Sequence, residues 1–180
     1  MKKIRLNNNK GILFWITGLA GSGKTSIARE VKSKISESFG PTILVSGDDM
    51  RKIFDLTKYS QNERLKNAIN FSKYSEFITN QKINVIFANI GMFDKARKRN
   101  RLRIQNYLEI YIKANLKKII KIGKKNIYKK FNKNIVGRDI VPELPKSPDI
   151  IIHNQFNKNI KELSKELFKK IEKTIIWKKK

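Results

Sequence analysis

Gly18-Leu-Ala-Gly-Ser-Gly-Lys24-Thr25 matches the phosphate-loop pattern G-x-x-x-x-G-K-[ST] at every defined position. The chemistry follows from the residue types. Glycines let successive backbone N–H groups converge on a phosphate, and a helix that starts at once adds its positive end. Gly18, Leu19, Ala20, Gly21, Ser22, Gly23, Lys24, Thr25 and Ser26 are the candidate cradle for a nucleoside triphosphate. The Lys24 ammonium would reach the β- and γ-phosphates, and the Thr25 hydroxyl would bind Mg²⁺.

Ser46-Gly-Asp48-Asp49-Met-Arg51 is a second cluster, placed at the end of the second expected strand, where open α/β sheets bind ligands. Asp48 could orient or deprotonate an acceptor hydroxyl, or hold Mg²⁺ through water, and Arg51 could grip an anionic acceptor in bidentate fashion. A helix cap is the other reading of the same acidic residues. Arg64 and Asn67, three residues apart, share one face of an expected helix. The third strand, Ile83–Ile90, carries no Asp for the magnesium contact of motor and GTPase-like proteins, which leaves the small kinases. His153, the single histidine, reads as a strand-end residue rather than a metal ligand or acid–base group.

The elements that must position these groups alternate in type. Strand-length apolar runs fall at Ile12–Thr17, Thr42–Ser46, Ile83–Asn89, Glu109–Lys113 and Asp149–His153. Helical spacing falls at Ser26–Phe39, Asn62–Asn80, Asp94–Asn106, Asn115–Ile122 and Asn159–Trp177, the last an amphipathic closing helix. This alternation predicts an α/β fold, a five-stranded parallel sheet with helices on both faces. Residues 1–180 read as a single domain, without repeats or a linker. The basic, glycine-punctuated segment at about 117–146 could close over phosphates as a lid and keep water out.

Composition narrows the class. With no cysteine there is neither a disulfide framework nor a thiolate metal site, and no run is long enough to span a membrane, so a cytoplasmic protein is expected. Lys2, Lys3 and Arg5 before an apolar run imitate a signal peptide, but that run leads straight into the phosphate loop. Forty-one Lys and Arg against 15 Asp and Glu give a formal charge of +26. That charge invites a nucleic-acid-binding module as an alternative, yet no RNA- or DNA-binding motif accompanies it. Lysine is joined by abundant Asn and Ile, all encoded by A/T-rich codons. Ile175, Ile176 and Trp177 could pack internally or against a second copy in a homodimer.

With these pieces in order, the chain resembles the adenylylsulfate kinases from about Ile12 to Asn154. These are P-loop enzymes that phosphorylate the ribose 3′-hydroxyl of adenosine 5′-phosphosulfate. Phe14–Thr25 is similar to the family's opening, and Gly47-Asp48-Asp49-Met50-Arg51 to its D-G-D-N-x-R segment. Tyr59-Ser60 with Glu63-Arg64 and Asn67 follows its F-S…D-R-x-x-N pattern. Ile127-Tyr128-Lys129-Lys130 resembles its G-L-Y-K-K element, and Asn134–Asp139 with Pro145 and Pro148-Asp149 resembles N-F-T-G-x-D…P…P-D. The resemblance implies a three-layer P-loop kinase fold with a lid, and transfer from ATP with Mg²⁺ to give 3′-phosphoadenylyl sulfate and ADP. Lys24 and Asp48 would be catalytic. Asp48, Arg51, Tyr59, Arg64, Asn67, Lys125 and Ile135 would meet a small anionic nucleotide acceptor.

The chain also departs from the family pattern. Ser46 replaces the first Asp of D-G-D, Ile122-Gly123 an Arg-Asp pair, and Asp94 the Arg of S-P-Y-R. Tyr59 and Ile135 stand where two phenylalanines sandwich the acceptor's adenine. Related kinases in surface-polysaccharide gene clusters act on other nucleotide conjugates, including cytidine diphosphoramidate. Such an acceptor is the alternative, because a smaller pyrimidine needs less aromatic sandwiching.

Overall fold

The computed structural model describes residues 3–123 and 134–177. In chain order the elements begin with β1 (Ile4–Leu6), β2 (Leu13–Thr17), α1 (Lys24–Phe39), β3 (Thr42–Ser46), α2 (Gly47–Ile53) and α3 (Gln61–Asn80). They continue with β4 (Asn84–Asn89), α4 (Asp94–Arg103), β5 (Tyr107–Lys113), α5 (Leu116–Ile122), β6 (Ile150–His153), α6 (Ile160–Thr174) and β7 (Ile175–Trp177). Five of the strands make one sheet in the order β3-β4-β2-β5-β6, parallel throughout. This is the expected α/β architecture.

All five residues of β2 are buried, as a parallel strand covered on both faces requires. On one face Phe14, Ile16, Ile86 and Ile110 pack against Ile27, Val31 and Ile35 of α1 and Leu163, Leu167 and Ile171 of α6. On the other, Leu13, Trp15, Val85 and Phe87 meet Phe71 of α3 and Met50 of α2. Phe87 is stacked between Trp15 and Phe71, with ring centroids 5.1 and 5.3 Å away. The sheet is thereby fixed, and its C-terminal edge carries the loops that the sequence marked for chemistry.

One charged group interrupts this core. Glu109 on β5 is buried, and burial pushes its carboxyl above the usual range although two guanidiniums oppose the shift. Arg101 Nη2 lies 2.9 Å from one of its oxygens and Arg97 Nε 3.4 Å from the other. Arg97 also pairs with Asp94 and donates to the Gly91 and Glu143 carbonyls. The cluster therefore ties α4 to β5 and to the loop that leaves β4.

Two expectations are corrected. The closing helix stops at Thr174 rather than Trp177, and Ile175–Trp177 pairs as β7 with β1 in a separate two-stranded parallel sheet. The β-branched pair Ile175-Ile176 favours strand, and Ile175 adds to the core beside Leu6. Helix α4 stops at Arg103, and β5 starts two residues early at Tyr107. Asn106 between them donates its amide to the Asn7 and Lys10 carbonyls. The helix cap read as the alternative for Ser46–Arg51 is present, with Ser46 as the N-cap of α2. Of the segment expected to form a lid, Leu116–Ile122 is α5, while Lys124, Lys125, Ile127, Tyr128, Lys129, Lys130 and Lys133 lie outside the described residues. Among the described residues, no helix is long and apolar enough to cross a membrane.

The β1–β7 pairing makes a stability prediction. Ile175→Ala should lower unfolding free energy by about 2–5 kcal/mol, whereas Ile176→Ala, on the exposed face, should stay within about 0.5 kcal/mol. Urea unfolding of both variants measures the difference.

Candidate active site

The phosphate loop leaves β2 at Thr17 and returns as α1 at Lys24. Gly23 caps that helix with φ +89°, a left-handed conformation that a side chain would strain. A Cβ there would also press on Asn154 Nδ2 at 3.0 Å. Asn154, just after β6, donates that same Nδ2 to the Ser22 carbonyl at 3.0 Å and accepts from Phe156 N–H at 2.9 Å. Lys24 Nζ arches back to the Leu19 carbonyl at 3.0 Å. Leu19 and Ala20 are seated in an apolar cluster with Tyr111 and Ile119. Among the described residues Ser22 Oγ is buried without a partner; Thr25 is half-buried, and Ser26 is exposed. The loop is thus anchored from behind, through a side-chain amide and apolar contacts.

Helix α2 presents the second cluster. Ser46 is its N-cap: its Oγ accepts from Asp49 N–H, and the Asp49 carboxylate accepts from the Ser46 N–H in return. This capping box satisfies two donors at once and holds α2 against the end of β3. The Ser46 hydroxyl, which also donates to Asp49 at 2.7 Å, is the main cause that holds the Asp49 carboxyl below the usual range. Asp49 is therefore structural, and Asp48 is the one of these two exposed carboxylates that lines the cleft.

A single cleft brings Lys24, Thr25, Asp48, Arg51, Tyr59, Arg64 and Asn67 together. Apolar walls come from Ala68 and Phe71 of α3, Phe93 and Val136. The Arg51 and Arg64 guanidiniums sit 4.3 and 5.1 Å from the Tyr59 ring centroid, a cation–π arrangement. Arg51 donates to the Leu56 carbonyl, and Arg64 donates to the Tyr59 and Asn134 carbonyls. Burial first, and then the Arg51 charge, pull Arg64 below its ordinary pKa. Two like charges held this close favour an anion beside them.

Ile135 is not brought to the cleft. It is buried among Leu19, Tyr111, Ile119 and Ile140, and its neighbour Val136 reaches the wall instead. A tight turn sets this orientation, with Asp139 accepting from Ile135 N–H at 2.9 Å. The Arg138 guanidinium helps hold Asp139 down to about 2. Lys125 lies outside the described residues. Three further contributors belong to no sequence motif: Asn154 behind the loop, Arg97 behind Gly91, and Asn89 in the cleft floor.

The arrangement fits a nucleoside triphosphate with magnesium. The loop is a close backbone cradle in which a Cβ at Gly23 has no room, and it opens onto the N-terminus of a 16-residue helix. Thr25 supplies the oxygen donor that Mg²⁺ takes alongside phosphates and water. Among the described residues no three His, Cys, Asp or Glu converge, and magnesium bound through phosphates needs no such cage.

Comparison with known proteins agrees with this geometry. Residues 10–153 match the family described as adenylylsulphate kinase. The chain is 34% identical over 167 residues to the cytidine diphosphoramidate kinase of Campylobacter jejuni, covering 91% of this chain and 98% of that one. It is 28% identical to the probable adenylyl-sulfate kinase of Aeropyrum pernix, covering 82% and 86%. The fold is shared with an APS kinase of Mycobacterium tuberculosis solved with AMPPNP and APS. The TM-score is 0.80 at 24% identity, with 91% and 98% of the two chains covered.

The capping box predicts how α2 responds to pH. Asp49 has a lowered folded pKa, so its contribution is present above the ordinary value of 3.8 and is lost as pH falls through the lowered one. Ser46→Ala should cost about 0.5–2 kcal/mol at neutral pH and move the Asp49 titration upward. Denaturant unfolding and NMR titration of the carboxyl carbon read the two effects.

Proposed function

We propose that this chain, which belongs to the adenylylsulphate kinase family, phosphorylates a hydroxyl of a cytidine 5′-diphosphate conjugate such as cytidine diphosphoramidate. The chain is an ATP-dependent kinase of a nucleotide-type acceptor; the conjugate is our reading. The observation that carries it is what stands at the two positions where the resembled family stacks the acceptor's base, apart from the Phe71 and Phe93 walls. Tyr59 lines the cleft, whereas Ile135 packs in the core and offers no second ring. A pyrimidine needs less stacking surface than a purine. The greater identity to the cytidine diphosphoramidate kinase, 34% against 28%, supports the same choice.

In this reading Asp48 accepts the proton of the attacking hydroxyl. The hydroxyl oxygen bonds to the γ-phosphorus of ATP while the bond to the β–γ bridging oxygen breaks, and ADP leaves. Lys24 and the loop N–H groups stabilise the charge that develops on the phosphoryl oxygens. Thr25 would hold Mg²⁺, which when bound neutralises phosphate charge. Arg51 and Arg64 hold the anionic end of the acceptor, and Asn67 fixes its orientation. The basic segment at 117–146 closes over the phosphates and excludes water, with Lys125 among its charges.

Adenylylsulfate is the second reading, favoured by the family and by Tyr59, Arg64 and Asn67 at the positions of its acceptor motif. The deciding experiment follows ADP release from MgATP with each acceptor. Saturable turnover with the cytidine conjugate and none with adenylylsulfate is the expected result; the reverse would establish the second reading. Nucleic-acid binding without acceptor-dependent ADP release would overturn both. Asp48→Ala should lower kcat by about 10²–10⁴-fold, and Lys24→Ala by a comparable factor, with thermal midpoints close to the parent's. Near-normal turnover in Asp48→Ala would remove it from the mechanism.

A further inference from the structure

Strand β4 ends on a side chain that the mechanism above leaves idle. Asn89 pairs in register with Thr17, the last residue before the phosphate loop, and forms part of the cleft floor. It is 7% exposed, and among the described residues neither its Oδ1 nor its Nδ2 has a hydrogen-bond partner. A buried amide in that condition costs stability and calls for an explanation in what the site binds. Two glycines pack directly against its side chain. A Cβ at Gly47 would lie 3.2 Å from Asn89 Cβ, and a Cβ at Gly91, where φ is +46°, would overlap Oδ1. The Arg97 guanidinium holds the Gly91 carbonyl at 3.2 Å, so that wall is fixed.

We propose that Asn89 is a specificity-determining residue that reads the terminal group of the acceptor's 5′-chain and prefers a phosphoramidate to a phosphate or sulfate. The inference rests on the kinase reading above. An amide donates through Nδ2 and accepts through Oδ1. A terminal phosphoramidate offers the complement, an amino donor beside phosphoryl oxygens. A terminal phosphate or sulfate offers acceptors only, so Oδ1 would face an oxygen and stay unpaired. Arg51 and Arg64 line the same cleft but answer only the negative charge that all three termini share.

The test separates terminus from base. ADP release is followed with cytidine diphosphoramidate, cytidine diphosphate, adenosine diphosphoramidate and adenosine 5′-phosphosulfate, for the parent protein, Asn89→Leu and Asn89→Asp. The parent should favour the amidate terminus within each base series by about tenfold or more in kcat/KM. Asn89→Leu should bring that ratio within about twofold of unity, with a thermal midpoint equal to or above the parent's because the unpaired amide is gone. Asn89→Asp keeps the accepting oxygen, so it should retain the preference while lowering turnover of every anionic acceptor. An unchanged ratio in Asn89→Leu, a lost ratio in Asn89→Asp, or a parent that favours sulfate or phosphate would overturn the proposal. The cytidine-to-adenosine ratio bears on the proposed function alone, and turnover of none of the four would overturn both.

Discussion

A parallel sheet buried on both faces has nowhere to put chemistry except its edges. The three inner strands β4, β2 and β5 are hydrogen-bonded to a neighbour on each side. The loops at the C-terminal edge inherit the polar groups that the interior refuses. The phosphate loop, the start of α2 and the turn after β4 all open there, and one cleft gathers their side chains. The rest of the structure keeps that edge still. Helices α1 and α6 pin one face, α3 pins the other, and Asn154 holds the loop by its carbonyl.

How much was legible in the sequence follows from how far each residue's role reaches. The phosphate loop could be read because its glycines, Lys24 and Thr25 act within eight positions of one another. Arg64 and Asn67 were legible from helical spacing. Ser46 read as a departure from a family Asp, although the same hydroxyl is the natural cap for α2; the pairing with Asp49 decided its role. Ile135 was placed by its position in a motif, but its direction depends on a turn closed by Asp139. Asn154 carries no local signal because it acts on a loop remote in sequence, and Arg97 and Asn89 belong to no motif. The end of α6 was missed for a related reason, since β7 exists only where β1 is there to pair with it.

Charge is distributed by the same economy. The net charge of +26 suggests a uniformly basic surface, yet four of the 15 carboxylates gather around one helix. Glu109, Asp149, Asp94 and Glu76 pair with Arg97, Arg101, Arg99 and Arg103 of α4. Arg51 and Arg64 instead face the cleft, supported by carbonyls and the Tyr59 ring. Carbonyl dipoles orient a guanidinium without cancelling its charge, so the cleft keeps its field for an incoming anion.

The small sheet formed by β1 and β7 joins the two ends of the described chain. During synthesis β1 leaves the ribosome well before its partner strand β7, which follows all five strands of the larger sheet. Until then Leu6 has no Ile175 beside it, and the hydrogen-bonding edge of β1 stays open. The five-stranded sheet has every strand available sooner, so the nascent chain can assemble its catalytic edge before its ends are fastened. Fastening is then a late, long-range step, and a nascent chain stalled short of β7 would carry a formed cleft on an unlatched body.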